Sequence, residues 1–214
     1  MAATGAGRPS RGRPPRIRLE DVVDAACRLG LEGLTVVAVA NQLGVRDSAI
    51  YRYVDSREEL LHLVADRALD DFDADFDPTA DLEELLVEFG QRIRHFLAKY
   101  QGMADYCTRF GERPPVRRLA ERVYEAVVDR ELHPVEAVVA VDAVSSYVFA
   151  HAQASPIGIR ADPVPVDPAE LSPIHAEGRA VADALDPDEY FGWLLGVLVS
   201  GLVVGVRADD APWR

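Results

Sequence analysis

The stretch from Leu34 to Leu61 is punctuated so closely that it leaves room only for short helices. Thr35 has a capping side chain, Val36, Val39, Ala40 and Leu43 make one apolar stripe at helical spacing, and Gly44 ends it. Gly44, Val45 and Arg46 then form a three-residue turn, and Asp47 is placed to cap a third helix through about Val54. Asp55 or Ser56 caps a longer helix that starts at Arg57. Another helix precedes the run: from Leu19, Val22, Ala26 and Leu29 recur at i, i+4 and i+7, with Glu20, Asp21 and Asp24 in the first turns, until Gly30 and Gly33 break it. Two short helices joined by a glycine turn behind a longer one make a helix-turn-helix unit.

The rest of the chain is helical in pattern as well. Asp81 to Tyr100 carries Leu82, Leu85, Leu86, Phe89, Ile93, Phe96 and Leu97 at spacings of three and four, and helices over 115–132 and 134–152 are divided by His133-Pro134. A short helix reaches Leu185, and Asp186-Pro187 opens a last, apolar helix to about Arg207. No segment alternates as a strand. The expected fold is all-α: a basic arm over residues 1–16, a three-helix helix-turn-helix domain over 17–66, and a larger helical ligand-binding and dimerisation bundle over 67–214. Pro9, Pro14 and Pro15 forbid a helix in the arm, and five prolines make 155–173 a loop.

With 49% hydrophobic and 28% charged residues, the composition is that of an ordinary globular chain. Its 23 basic and 36 acidic side chains give a net charge of −13, which argues against a polyanionic partner. The distribution reverses that reading. Residues 1 to 18 hold five arginines and no acid, residues 1 to 64 hold nine basic and eight acidic side chains, and the remainder carries −14.

The turn Ala40-x-x-Leu43-Gly44-Val45, the segment Tyr51-Arg52-Tyr53 and the helix entry Ser56-Arg57-x-Glu59-Leu60 come in unbroken order. Residues 17 to 66 thereby resemble the DNA-binding domain of the TetR family of bacterial transcriptional repressors. On a two-turn recognition helix the N-terminal half faces the major groove, so Asp47, Ser48, Ala49 and Arg52 are the candidates for base edges. Arg52 can hold a guanine with two bonds, Ser48 can donate or accept, and Ala49 can meet a thymine methyl. Asp47 repels phosphate and is suited only to a cytosine amino group or to capping. The resemblance implies phosphate contacts for Tyr51 and Tyr53 and a backbone anchor in Arg57; Thr35 and Arg46 complete the DNA-contacting set. Tyr53 is alternatively a core residue. Arg11-Gly12-Arg13-Pro14 resembles the core of an AT-hook, with Arg11 and Arg13 in a minor groove.

The C-terminal half is most similar to the tetracycline-repressor-like subgroup, which implies that the helix over 133–154 and the last helix meet their mates across a dimer axis. The subgroup's ligand residues do not carry over, because 63–79 holds no histidine and Cys107 stands in the following helical region. A pocket inside the bundle would draw on Phe89, Ile93, Phe96, Met103, Tyr106, Phe110, Tyr147 and His151, each of which could equally be core.

Other signals are weaker. Six aspartates between Asp70 and Asp81 invite a calcium loop, but counting from Asp71 the glycine and glutamate positions hold Phe76 and Leu82, so a solvated helix end is the better reading. Tyr190 to Val206 lacks charge over a length at the lower limit for a bilayer span, yet a buried bundle helix has the same pattern; its glycines at 192, 196, 201 and 205 allow close helix approach. Two cysteines make no disulfide framework or zinc spacing, and five scattered histidines join no catalytic motif. The function expected is a DNA-binding repressor, released from a palindromic operator by a small-molecule effector. It would act as a homodimer in the bacterial cytoplasm, associated with the nucleoid. Its partners would be double-stranded DNA with an inverted repeat, a second copy and an unidentified effector, with no cofactor, metal, membrane or catalysis. The alternative, an architectural DNA-binding protein, would use the arm but leave the large acidic bundle without a role.

Overall fold

The computed structural model describes residues 17–153, 172–208 and 211. The basic arm, with Arg11 and Arg13, and the proline-rich loop after Gln153 lie outside the described residues. Those described form ten helices and no strand: α1 (Leu19–Leu29), α2 (Val36–Leu43), α3 (Asp47–Ile50), α4 (Arg57–Leu69), α5 (Leu82–Lys99), α6 (Met103–Phe110), α7 (Pro114–Val128), α8 (Pro134–Gln153), α9 (Pro173–Ala184) and α10 (Pro187–Val206).

Side-chain caps fix most of the starts. The Thr35 hydroxyl accepts from the Ala38 N–H at 3.0 Å and the Ser56 hydroxyl from the Glu59 N–H at 3.0 Å. Asp81 and Glu84 satisfy each other's N–H groups at α5, and Asp186 accepts from Asp188 and Glu189 at α10. Gly44 closes α2 in the left-handed region at φ 65, letting Val45 N–H reach back to the Ala40 carbonyl at 3.0 Å.

Helix α3 departs from expectation. Arg46, not Asp47, is its N-cap, with no side-chain bond, and Asp47 is the first helical residue. The helix ends at Ile50 rather than near Val54. Tyr53 N–H bonds the Ile50 carbonyl at 2.9 Å in a tightened turn, and Ile50 and Val54 both enter the core, so the chain reverses at once towards α4.

Helices α1 to α4 form the head, with Val22, Leu34, Val39, Ile50 and Leu60 fully buried between them. In the body α5 packs against both α8 and α10, which also touch each other, while α7 lies on α8 and reaches α4. Phe191, Leu195 and Val199 turn the inner face of α10 into this core, each contributing about 1.5–3 kcal/mol by burial. Both α8 and α10 are long and apolar enough to cross a membrane by length and composition. The α10 glycines are not at a tight contact within the protomer: an added Cβ at Gly196, Gly201 or Gly205 would meet nothing within 4 Å.

The aspartate run extends from the C-cap of α4, Asp70, to the N-cap of α5, Asp81, with its aspartates exposed. Helix α4 stops at Leu69, and the run is a linker strapped to the body by basic side chains. Arg92 donates to the Asp73 and Asp75 carbonyls at 3.0 and 2.9 Å, and Arg130 to those of Ala80 and Asp77 at 3.0 and 2.7 Å. Arg122 pairs with Asp75 at 3.1 Å and Lys99 with Asp71 at 3.0 Å. Among the described residues no group of three or more metal-ligating side chains comes together.

Candidate DNA-reading surface and ligand cavities

The head presents one continuous polar edge. Arg46, Asp47, Ser48 and Arg52 are exposed around α3, Ala49 is half-buried beside them, and the Tyr51 ring is about half-exposed. Thr35 sits at the start of α2 on the exposed side, its hydroxyl used as an acceptor but still able to donate. Two residues expected on this surface also have internal tasks. Tyr53 is half-buried and its hydroxyl donates to the Ile17 carbonyl, leaving only lone pairs for an outside donor. Arg57 uses Nε to hold the Leu34 carbonyl at 2.7 Å, tying the start of α4 to the entry of α2 and leaving its terminal nitrogens outward.

The eight pocket candidates do not converge on one cavity. Phe89, Ile93 and Phe96 line a cavity of about 320 Å³ inside the bundle, together with Val116, Leu119 and Val123 of α7. Its polar groups are the Tyr124 hydroxyl, which donates to Asp142 at 3.0 Å, and Ser145 and Glu112. Burial pushes the Cys107 thiol on its wall up to about 12, so that sulfur is an inert apolar surface. Tyr106, Phe110 and His151 instead line a cleft of about 900 Å³ between head and body. The wall between the two spaces is α6, with Tyr106 and Phe110 on the cleft side and Cys107 and Gly111 on the cavity side. Met103 lines neither and is fully buried; Tyr147 lines neither and stacks on Phe191 at 5.7 Å.

A residue that sequence reasoning passed over joins head and body. His62, one position before the stretch searched for histidine, lies on α4 with Nδ1 3.0 Å from the Tyr106 hydroxyl and its ring edge-on to Phe110 at 4.9 Å. Its other nitrogen is 3.6 Å from Glu58. Its partners stand 44 and 48 positions along the chain, so no local spacing marks it. Arg113 and Asp66 pair beside it at 3.5 Å.

Burial first and Arg113 second push the His62 imidazole below its usual 6.5; burial and Arg94 do the same to His151. Both rings are therefore neutral in the folded protein at pH 7, and the unfolded chain takes up these protons first as pH falls. Stability from this source is full above 6.5 and is lost as pH drops from there through the folded values. The melting temperature of a His62→Gln, His151→Gln double variant should fall less than the parent's on acidification from about pH 7.5 to about pH 5. An equal fall in both proteins would remove these histidines as the cause.

The proteins that the chain resembles are named as transcriptional regulators. No family model matches the chain. It is 47% identical over 64 residues to the HTH-type transcriptional repressor DrrR1 of Streptomyces coeruleorubidus, covering 28% of this chain and 24% of that protein. It is 36% identical over 82 residues to an uncharacterized HTH-type transcriptional regulator of Mycobacterium tuberculosis, covering 33% and 38%. The chain thus aligns with well under half the length of these curated relatives. Among solved structures, apo ActR from Streptomyces coelicolor gives a TM-score of 0.70 at 23% identity, over 90% of this chain and 97% of that one. TetR from Acinetobacter baumannii AYE gives 0.68 at 23% identity, over 90% and 100%.

Proposed function

From a chain that has the two-domain fold of the TetR family, as its sequence resemblance implied, we propose a dimeric DNA-binding transcriptional regulator, a repressor that a small molecule releases from an inverted-repeat operator. The observation that carries the reading is the exposed edge around α3, with Ser48, Tyr51 and Arg52 outward, in a chain 47% identical over 64 residues to a named repressor.

Dimerisation follows from α10. Opposite its buried face, Trp193, Val197 and Val204 are 64%, 54% and 74% exposed at spacings of four and seven, among glycines that put no side chain in the way. An apolar stripe of that length on a soluble regulator is an interface. Two heads joined there would read half-sites about one helical turn apart or a multiple of it.

The effector cavity is the one between α5, α7 and α8. Its aromatic and aliphatic lining, with a hydroxyl–carboxylate pair at Tyr124 and Asp142, suits a flat apolar molecule carrying a hydroxyl or amine. Two structural relatives were solved with small molecules: ActR in complex with actinorhodin and a TetR variant in complex with minocycline.

Selection of bound sequences from random DNA by the purified protein tests the reading, and an inverted repeat is the expected result. Arg52→Ala should then cost roughly 1 to 3 kcal/mol on the selected site and leave random DNA unaffected. Equal loss on both would show that Arg52 reads no base. Operator binding indifferent to every apolar aromatic compound in a broad panel would favour an architectural protein.

A further inference from the structure

Among the described residues a second opening is larger than the bundle cavity: a cleft of about 900 Å³ whose one wall is the head, through Leu31, Glu32, Arg57 and Leu61, and whose other is the body, through α5, α6 and the end of α8. Its charge is unlike that of the chain as a whole. Three guanidinium groups, Arg57, Arg94 and Arg109, share its lining with two carboxylates, Glu32 and Asp105, in a molecule that is otherwise strongly acidic; Arg94 is itself paired with Asp188, outside the lining. The first turn of α6 opens into the same space with Gly102 as N-cap and no side chain to accept from its N–H groups, which adds positive potential. Apolar surface stands next to the charge: the half-buried Phe110 ring lines the cleft, over a buried floor of Tyr106, Leu61, Leu97 and Val148. The His151 Nε2 on the same lining is buried without a hydrogen-bond partner.

We propose that this cleft is a second ligand site, separate from the bundle cavity, and that it takes an organic anion built on a flat ring system, an aromatic carboxylate. The ring lies against Phe110. The carboxylate meets Arg109, whose present partner is Asp105 at 3.6 Å in an exposed pair that a ligand can displace. Arg57 closes the site from the head, since only its Nε is committed, to Leu34. A molecule held there touches head and body together and favours one placement of the head over others.

The test is calorimetric titration of the full chain, without DNA, with 1-naphthoate and with 1-naphthamide, which has the same shape and no charge. Naphthoate should bind saturably and about tenfold more tightly than the amide. Arg109→Gln should remove about that factor, whereas Asp105→Asn, which deletes the competing carboxylate, should tighten binding. Ala152→Trp fills the cleft from an exposed position and should abolish binding; Ser145→Trp fills the bundle cavity and should not. The proposal is overturned if the two probes bind alike, if Asp105→Asn has no effect, if Ser145→Trp removes binding while Ala152→Trp does not, or if naphthoate shows no saturation. None of these readouts involves an operator, so failure here is separable from failure of the repressor reading.

Discussion

Replacing Trp193 and Val197 together by aspartate should turn the protein into a monomer in solution and reduce its operator affinity by about a hundredfold or more. Both side chains stand on the outer face of α10, where the folded protomer leaves them exposed, so their replacement removes little from the protomer's own core. Two carboxylates per chain would face two more across the axis. That juxtaposition, together with the lost apolar area, outweighs what remains of the interface. The effect on DNA is large because the second head binds at the high effective concentration set by the first, a factor of about 10² to 10⁴ that vanishes when the heads separate. Sedimentation gives the mass and fluorescence anisotropy the affinity. A variant that stays dimeric would place the interface elsewhere, and a monomer with undiminished affinity would end the two-headed account.

The second large effect is expected at Gly102. Its φ of 88 lies in the left-handed region, and a Cβ there would come within 3.1 Å of the Glu32 nitrogen and 3.2 Å of the Leu31 Cβ. It is the seat on which the loop after α1 rests against the corner between α5 and α6. Gly102→Val adds the strain of a β-branched residue at positive φ, about 1–3 kcal/mol, to a contact that only backbone movement can relieve. The melting temperature should fall by roughly 4 to 8 °C. Operator affinity of the protein that remains folded should fall as well, because the head is pushed off its seat. Lost stability with unchanged affinity would show that this contact does not place the head.

Much of the architecture was legible because local chemistry decides it. Thr35 and Asp186 cap the helices that sequence alone assigns to them, Ser56 rather than Asp55 caps α4, and Gly44 takes the left-handed turn its position demands. Helix α3 was misjudged because its length is set by Ile50 and Val54 entering the core, a tertiary demand that ends the helix before its local pattern does. The strapping of the aspartate run was not legible because the side chains that hold it, Arg92 of α5, Arg122 of α7 and Arg130 just beyond α7, stand between 17 and 53 positions away. Helical periodicity marks residues that face inward, but it cannot tell which side of α6 each will face. Tyr106 and Cys107 are neighbours in sequence and line different spaces.

The strap of arginines on the aspartate linker has a mechanical consequence. By gripping backbone carbonyls at 73, 75, 77 and 80, it immobilises the chain immediately beyond the C-terminal end of α4. Any movement of α4 is then a pivot about that end and not a slide. Thirteen residues make a lever of roughly 20 Å at 1.5 Å per residue, so a tilt of about ten degrees carries the far end by about 3 Å. The far end is Arg57, bonded to the entry of α2, and small angular changes in the body arrive there as displacements comparable to a hydrogen-bond length.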